Sequence, residues 1–384
     1  MKSLLEFFRI GKVRLRTCHI GLPVASVRFT SPAPCSLPGV SMRILTIGAG
    51  AVGTGLASAI AAAGHPIDVV ARPRAAALLR ASGLRRVGVL GEVLVPPERL
   101  GVYTSLATLP RQAYDFVLVS TKAYDAADVA SELAACSHLV GHWTRIVLFF
   151  NGIGGHEIFA ECFAREKIYA ARLMTGFELE GQVVVKITVH GGPIAIGNPF
   201  TGDVQAVKYL CGLLTAGGLP SNPCPEILEE ISAKLLFNCA CNALGALFNL
   251  PIGGLAADPD SRRLMEQIVR ETHGVMQPAG YRSRWGTPEE YFPVFYERLI
   301  PATAAHQTSM SQDLRAGKRT EIDFLNGAVA NLGQRFGVAA PVNRLVTQAI
   351  KRLENRGPRD SAGTLHDASH LSAARLQPPT PAVR

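Results

Sequence analysis

Three side chains recur at four-residue intervals between Pro225 and Leu250: Lys234, Asn238 and Asn242. On a helix that interval stacks them along one face. Their neighbours Leu235, Leu236, Phe237, Ala240 and Leu244 are apolar. An ammonium and two amides in such a setting are costly unless they meet a ligand or a hydrogen-bonding partner. Two readings therefore stand open: a face turned to a ligand, or a face bonded to a neighbouring helix. Farther along, the segment Ser309 to Gly327 carries Asp313, Glu321 and Asp323, whose carboxylates are candidates to pair with Lys234 across an interdomain cleft. Taken alone, such a charge run is more often a solvated face.

A second chemistry is written in Met42-Arg-Ile-Leu-Thr-Ile-Gly-Ala-Gly-Ala-Val-Gly53. Ile44 to Ile47 read as a buried strand, and Gly48, Gly50 and Gly53 form a G-x-G-x-x-G turn, with Ala49, Ala51 and Val52 between them. An alanine-rich helix follows to Gly64, and Ile67 to Ala71 read as the next strand. In that βαβ context the glycines make a tight turn, let a pyrophosphate approach the backbone, and let helix lie on strand. Free N–H groups and the dipole at the helix N-terminus favour the phosphates. An NAD site commonly ends its second strand on Asp or Glu, whereas an NADP site offers Arg to the 2′-phosphate. Here the residue is Arg72, with Arg74 behind it, and Asp68 stands too early to reach the ribose. Unless Arg72 is only a solvated strand-end charge, the spacing predicts NADP(H).

These groups need a scaffold, and the chain supplies one in two halves. Val87 to Val95 alternates like a hairpin or edge strand, and Tyr114 to Ser120 and Arg145 to Phe150 read as further strands. In a doubly wound sheet, ligands bind at the carboxyl ends of the strands, which puts Lys122 and Asn151 on the cofactor edge. Val183 to Ile187 and Ile194 to Ile196 are predicted to close that sheet, and from Pro225 to about Asn355 the pattern is helical. The predicted class is α/β: an N-terminal Rossmann-type doubly wound sheet over residues 42–222 and an all-helical domain over 223–355.

At 384 residues, with 48% hydrophobic and 18% charged residues, the chain can build sizeable cores. Its formal charge is +9. Much of that lies in the tails: residues 1–41 carry Lys2, Arg9, Lys12, Arg14, Arg16 and Arg28 against Glu6 alone. No basic run with interleaved aromatics appears, so a nucleic-acid partner is not expected. The uncharged stretches Ile44–Gly64 and Leu235–Ala257 contain a glycine turn or Asn238, Asn242, Asn249 and Pro251. They read as buried elements rather than membrane spans. Eight cysteines without a C-x-x-C pair read as free thiols in a reducing compartment, with no zinc or other metal site. The basic, acid-poor extension 1–41 resembles a transit peptide or an over-long gene start, so the expected location is cytoplasmic, or mitochondrial if the extension is a true signal. The Pro/Ala/Ser/Arg-rich end, 356–384, is expected to be disordered. Monomer and homodimer are both compatible with the sequence.

Six pieces in this order and spacing resemble the 2-dehydropantoate 2-reductase (ketopantoate reductase) family: Gly48-Ala-Gly-Ala-Val-Gly53, Lys122-Ala-Tyr, Asn151-Gly-Ile-Gly, Lys234-Leu-Leu-Phe-Asn238 with Asn242, Ser309-Met-Ser-Gln-Asp313, and Arg319-Thr-Glu-Ile-Asp-Phe-Leu-Asn-Gly327. The resemblance covers about Met42 to Asn355 and implies a helical second domain of the 6-phosphogluconate dehydrogenase type. It further implies that Lys234 is the general acid and that Glu321 orients the substrate hydroxyl. Asn238, Asn242 and Ser309 would hold the substrate, joined by Asn249. Lys122 and Asn151 would line the cofactor and nicotinamide edge, with Asn151 also at the substrate. Asp313 would support the polar network. Arg282 to Glu297 has no role assigned from sequence. The implied activity is NADPH-dependent reduction of 2-dehydropantoate to (R)-pantoate, the step leading to pantothenate and coenzyme A. The alternatives are a reductase of another branched 2-oxo acid or ketone, and a non-catalytic NADPH-binding regulator.

Overall fold

The structure, a computed structural model, describes residues 42–355; the expectations for 1–41 and 356–384 lie outside the described residues. Among the described residues, twelve strands form two sheets. The larger contains β1 (Ile44–Ile47), β2 (Ile67–Val70), β5 (Leu100–Tyr103), β6 (Phe116–Val119), β7 (Arg145–Leu148), β8 (Ile168–Arg172), β11 (Ile194–Gly197) and β12 (Ser221–Pro223), in the order β12-β11-β8-β7-β6-β1-β2-β5. From β5 to β8 every pairing is parallel; β11 turns antiparallel to β8, and β12 follows β11. That is the doubly wound order, with the strand order reversing between β1 and β6. Strands β1, β6 and β8 are buried along their whole length, as expected where helices cover both faces.

The smaller sheet, ordered β4-β3-β10-β9, contains β3 (Leu84–Gly88), β4 (Val93–Val95), β9 (Thr175–Glu180) and β10 (Val184–His190). Here the structure corrects one expectation. Val183 to Ile187 does not close the large sheet; it pairs with β3 and β9 in the small one. An antiparallel hairpin does form here, but it pairs Leu84–Arg86 with Val93–Val95, so its first strand begins before the expected Val87, and it makes half of that second layer.

Helix α1 (Ala51–Ala62) explains why two layers are needed. It is buried on nearly every side, and its small residues let β-sheet, helix and ring approach closely. A Cβ on Gly55 would stand 2.5 Å from the Phe177 ring of β9. Helices α2 (Pro73–Ser82), α3 (Ala126–Ala135), α4 (Gly155–Ala160) and α5 (Lys208–Ala216) complete the α/β half.

The second half is helical, as read from the sequence. It is built round α6 (Ile227–Phe248), followed by α7 (Ile252–Ala257), α8 (Pro259–Met276), α9 (Pro288–Val294), α10 (Ile300–Ala302), α11 (Ser309–Arg315), α12 (Asn326–Phe336) and α13 (Pro341–Glu354). Helix α6 is long and apolar enough to cross a membrane by length and composition, but most of it is buried here. It packs on α8, α11 and α13 and shares an apolar core with them through Leu236, Cys239, Ala240 and Ala243.

Candidate active site

The parallel strands deliver their carboxyl ends to one edge, and the polar residues follow in a row. After β2 comes Arg72, after β1 the glycine turn, after β6 Lys122, after β7 Asn151, and β8 ends on Arg172. Gly48 has φ +102°, and a Cβ there would lie 3.0 Å from the Thr121 nitrogen. A Cβ on Gly53 would stand 1.9 Å from the Gly48 carbonyl oxygen. These two glycines let turn, helix and sheet meet. Gly50 differs: nothing lies within 4 Å of its would-be Cβ, and as N-cap of α1 it provides no side chain to the helix donors. The first turn of α1 carries no acid. An open, acid-free helix N-terminus beside a bare backbone fits a pyrophosphate.

Arg72 is exposed at the N-terminus of α2. The Asp68 carboxylate, nearer the start of β2, accepts the Tyr114 hydroxyl at 2.5 Å. A cation is thus exposed at this strand end.

From the helical half, α6 brings Lys234 under this edge. Its Nζ donates to Asn151 Oδ1 at 2.7 Å, and Asn151 Nδ2 donates to Glu321 Oε2 at 3.2 Å. The amide orientation follows from its partners, since an ammonium only donates and a carboxylate only accepts. Glu321 Oε1 accepts the Ala123 backbone N–H at 3.1 Å, and Lys122 Nζ lies 3.6 Å from Glu321 Oε2. Lys122 Nζ also donates to Asp313 Oδ2 at 2.6 Å. One polar chain, Lys234–Asn151–Glu321–Lys122–Asp313, therefore stitches both halves of the molecule together.

Desolvation pushes the Lys234 amine down to about 8; the Arg172 cation adds to that fall, and Glu321 opposes it. Burial outweighs the carboxylate, a balance that sequence leaves open. Desolvation also pushes the Asp313 carboxyl up, against the pull of Lys122.

Beyond Lys234 on the same helix face, Asn238 and Asn242 are each 8% exposed. Among the described residues, their amides and the Ser309 hydroxyl have no side-chain hydrogen-bond partner. At these two amides the described residues show no bond to a neighbouring helix.

The family model described as "Ketopantoate reductase PanE/ApbA" matches residues 44–199, and "Ketopantoate reductase PanE/ApbA C terminal" matches residues 226–354. The 2-dehydropantoate 2-reductase of Aquifex aeolicus is 32% identical over 317 residues, 82% of this chain and 97% of that protein. The chain belongs to the ketopantoate reductase family. The 2-dehydropantoate 2-reductase of Archaeoglobus fulgidus is 27% identical, over 82% of this chain and 98% of that protein. A PanE/ApbA family ketopantoate reductase from Ralstonia eutropha superposes with a TM-score of 0.72 at 25% identity, covering 82% of this chain and 99% of its own. D-mandelate dehydrogenase, solved with NADH and anilino(oxo)acetate, shares the fold with a TM-score of 0.72 at 23% identity, covering 82% and 99%.

Within this member of the family, the carboxylates singled out from sequence do not pair with Lys234 directly. Asp313 pairs with Lys122 rather than Lys234, and Asp323 pairs with Lys351 and Arg319. Glu321 reaches Lys234 through Asn151, with no direct ion pair among the described residues. Asn249 is exposed in the left-handed conformation that ends α6, and accepts from Arg315 Nη2 at 2.5 Å. Ser309 is exposed at the start of α11, whose cap is Thr308. Thr308 donates to the Asn242 carbonyl at 3.3 Å and so fastens α11 to the asparagine turn.

Three charged residues went unnoticed in the sequence. Arg172 donates to Glu230 Oε2 from Nε at 2.9 Å and from Nη2 at 2.7 Å, and Arg284 donates to Glu230 Oε1. One signal was available: Glu230 stands four residues before Lys234. The segment without an assigned role, 282–297, supplies Arg284 to this cluster, and its Trp285, Tyr291 and Phe295 pack as an aromatic group.

Proposed function

We propose that this protein is an NADPH-dependent reductase of 2-dehydropantoate, giving (R)-pantoate. Family membership supports the substrate, and the exposed Arg72 at the strand end supports NADPH over NADH. The observation that carries the reading is a half-buried lysine on the same helix face as two amides that have no side-chain partner among the described residues.

The backbone of Gly48 to Gly53 and the α1 N-terminus would hold the pyrophosphate, and Arg72 the 2′-phosphate. When bound, NADPH supplies the hydride for the keto carbon. Lys234 then meets the negative charge that grows on the keto oxygen and delivers its Nζ proton there. Asn151 holds the amine by accepting one of its hydrogens, and Glu321 holds Asn151 in turn. Asn238, Asn242 and Ser309 offer donors and acceptors suited to a substrate bearing both a carboxylate and a hydroxyl.

Turnover of ketopantoate with NADPH and NADH side by side, against a panel of branched 2-oxo acids, tests substrate and cofactor together. Ketopantoate with NADPH should give the highest kcat/KM. Lys234→Ala should lower kcat by at least about a hundredfold. Near-normal turnover in that variant would remove the assigned proton donor.

A further inference from the structure

Glu230 stands one helical turn before Lys234 on α6. A glutamate four residues N-terminal to a lysine is the favourable orientation for a helix ion pair, and desolvation strengthens the pull. Yet the two residues make no ion pair among the described residues. Both Glu230 oxygens are engaged elsewhere, Oε2 by Arg172 and Oε1 by Arg284. Arg172 is buried at the end of β8 and lines the same small cavity as Lys234, with Phe150 and Ile231. With its natural helix partner occupied, Lys234 reaches out to Asn151 at the sheet edge instead.

We propose that Arg172 is a positioning residue: by occupying Glu230 it keeps that carboxylate from capturing Lys234, and so leaves the amine aimed into the cleft. The proposal rests on the reading of Lys234 as proton donor. The charged and polar groups facing Lys234 are Arg172 from β8, Asn151 from the loop after β7 and Glu321 from the segment before α12, while Glu230 stands one turn earlier on its own helix. Removing the Arg172 charge withdraws a nearby cation and releases a carboxylate oxygen. Both changes bind the Lys234 proton more tightly and draw the amine away from Asn151.

The test compares Arg172→Met, Glu230→Gln and the double variant in the full chain, with ketopantoate and NADPH across pH. Arg172→Met should lower kcat about tenfold or more and move the alkaline limb of the profile up by about half a pH unit or more. The double variant, having no carboxylate to capture the amine, should recover to within about threefold of the parent. Glu230→Gln alone should also stay within about threefold. A lysine that Arg172 supports only by packing would give no rescue and no displaced limb, and that result overturns the proposal. If Arg172→Met does not fold, Glu230→Gln and the double variant decide the matter: a loss in Glu230→Gln as deep as that of Lys234→Ala overturns it. An NMR titration of 13Cε-labelled lysine, with the Lys234 signal assigned through Lys234→Ala, separates the two readings. If Lys234→Ala keeps its turnover, the proton-donor reading fails. The titration of Lys234 in Arg172→Met then still reports whether Glu230 has been released, by a rise of its midpoint or by none.

Discussion

Lys234 carries its charge against desolvation, and its pH behaviour follows. A lysine pushed down to about 8 is about nine-tenths protonated at pH 7. Reduction, which needs the protonated amine, should hold level through neutral pH and fall about tenfold per unit above pH 8. A kcat/KM profile in the reductive direction checks this, and a plateau extending to pH 10 would contradict it. Arg72 supports a second prediction at this scale. Arg72→Ala should raise the KM for NADPH about tenfold or more, the loss of one charge-assisted contact to phosphate. It should leave the KM for NADH nearly unchanged, and steady-state assays with both cofactors read the difference. The lysine and asparagine spacing was visible in the sequence because helical period alone stacks those residues. The direction of the Lys234 shift was not, because burial and two opposite charges come from three separate elements.

Among the elements, the glycine turn divides its labour between packing and openness. A Cβ at Gly53 would meet the Gly48 carbonyl and Ser120 Oγ at 1.9 and 2.4 Å. Gly53→Ala should therefore force α1 off the sheet and cost about 1–3 kcal/mol, as overpacking does, seen as a lower Tm. Gly50→Ala meets no protein atom within 4 Å, so Tm should hold while NADPH binding weakens. Thermal melts with a fluorescence titration of NADPH distinguish the two glycines, and equal losses in Tm would refute the division. Their shared motif is legible in one dimension; their different jobs are not, since Gly53 is crowded by the folded turn's own Gly48 carbonyl and by Ser120 after β6, and the atoms absent at Gly50 leave no trace in sequence. The same limit explains β10. Its alternation marks a strand, but only the burial of α1 between two layers decides which sheet it joins.

Across the whole molecule, the α/β half and the helical half are held by polar contacts as well as apolar ones. Lys122 and Asp313 are 191 residues apart in sequence and 2.6 Å apart in space, with side chains 36% and 14% exposed. Nearby, Ile153 donates its backbone N–H to the Phe324 carbonyl at 3.0 Å. Lys122→Met should leave the Asp313 carboxylate desolvated without its cation. The expected cost is about 1–2 kcal/mol, between that of exposed and buried pairs. Denaturant melts would show it as a lower midpoint, and an unchanged midpoint would mean the bridge adds nothing to the union of the halves.

Local chemistry determined a great deal unaided. Period, glycine placement and strand-end charge are properties of short segments, so the βαβ turn, the helical second half and the Lys234–Asn238–Asn242 face follow from the chain's own order. Partnership was decided only in three dimensions. Asp313 went to Lys122, Asp323 to Lys351 and Glu230 to two arginines, because electrostatic pairing depends on distance and desolvation between elements far apart in the chain. Which carboxylate stands near Lys234, and which is held away from it, is therefore a property of the folded molecule.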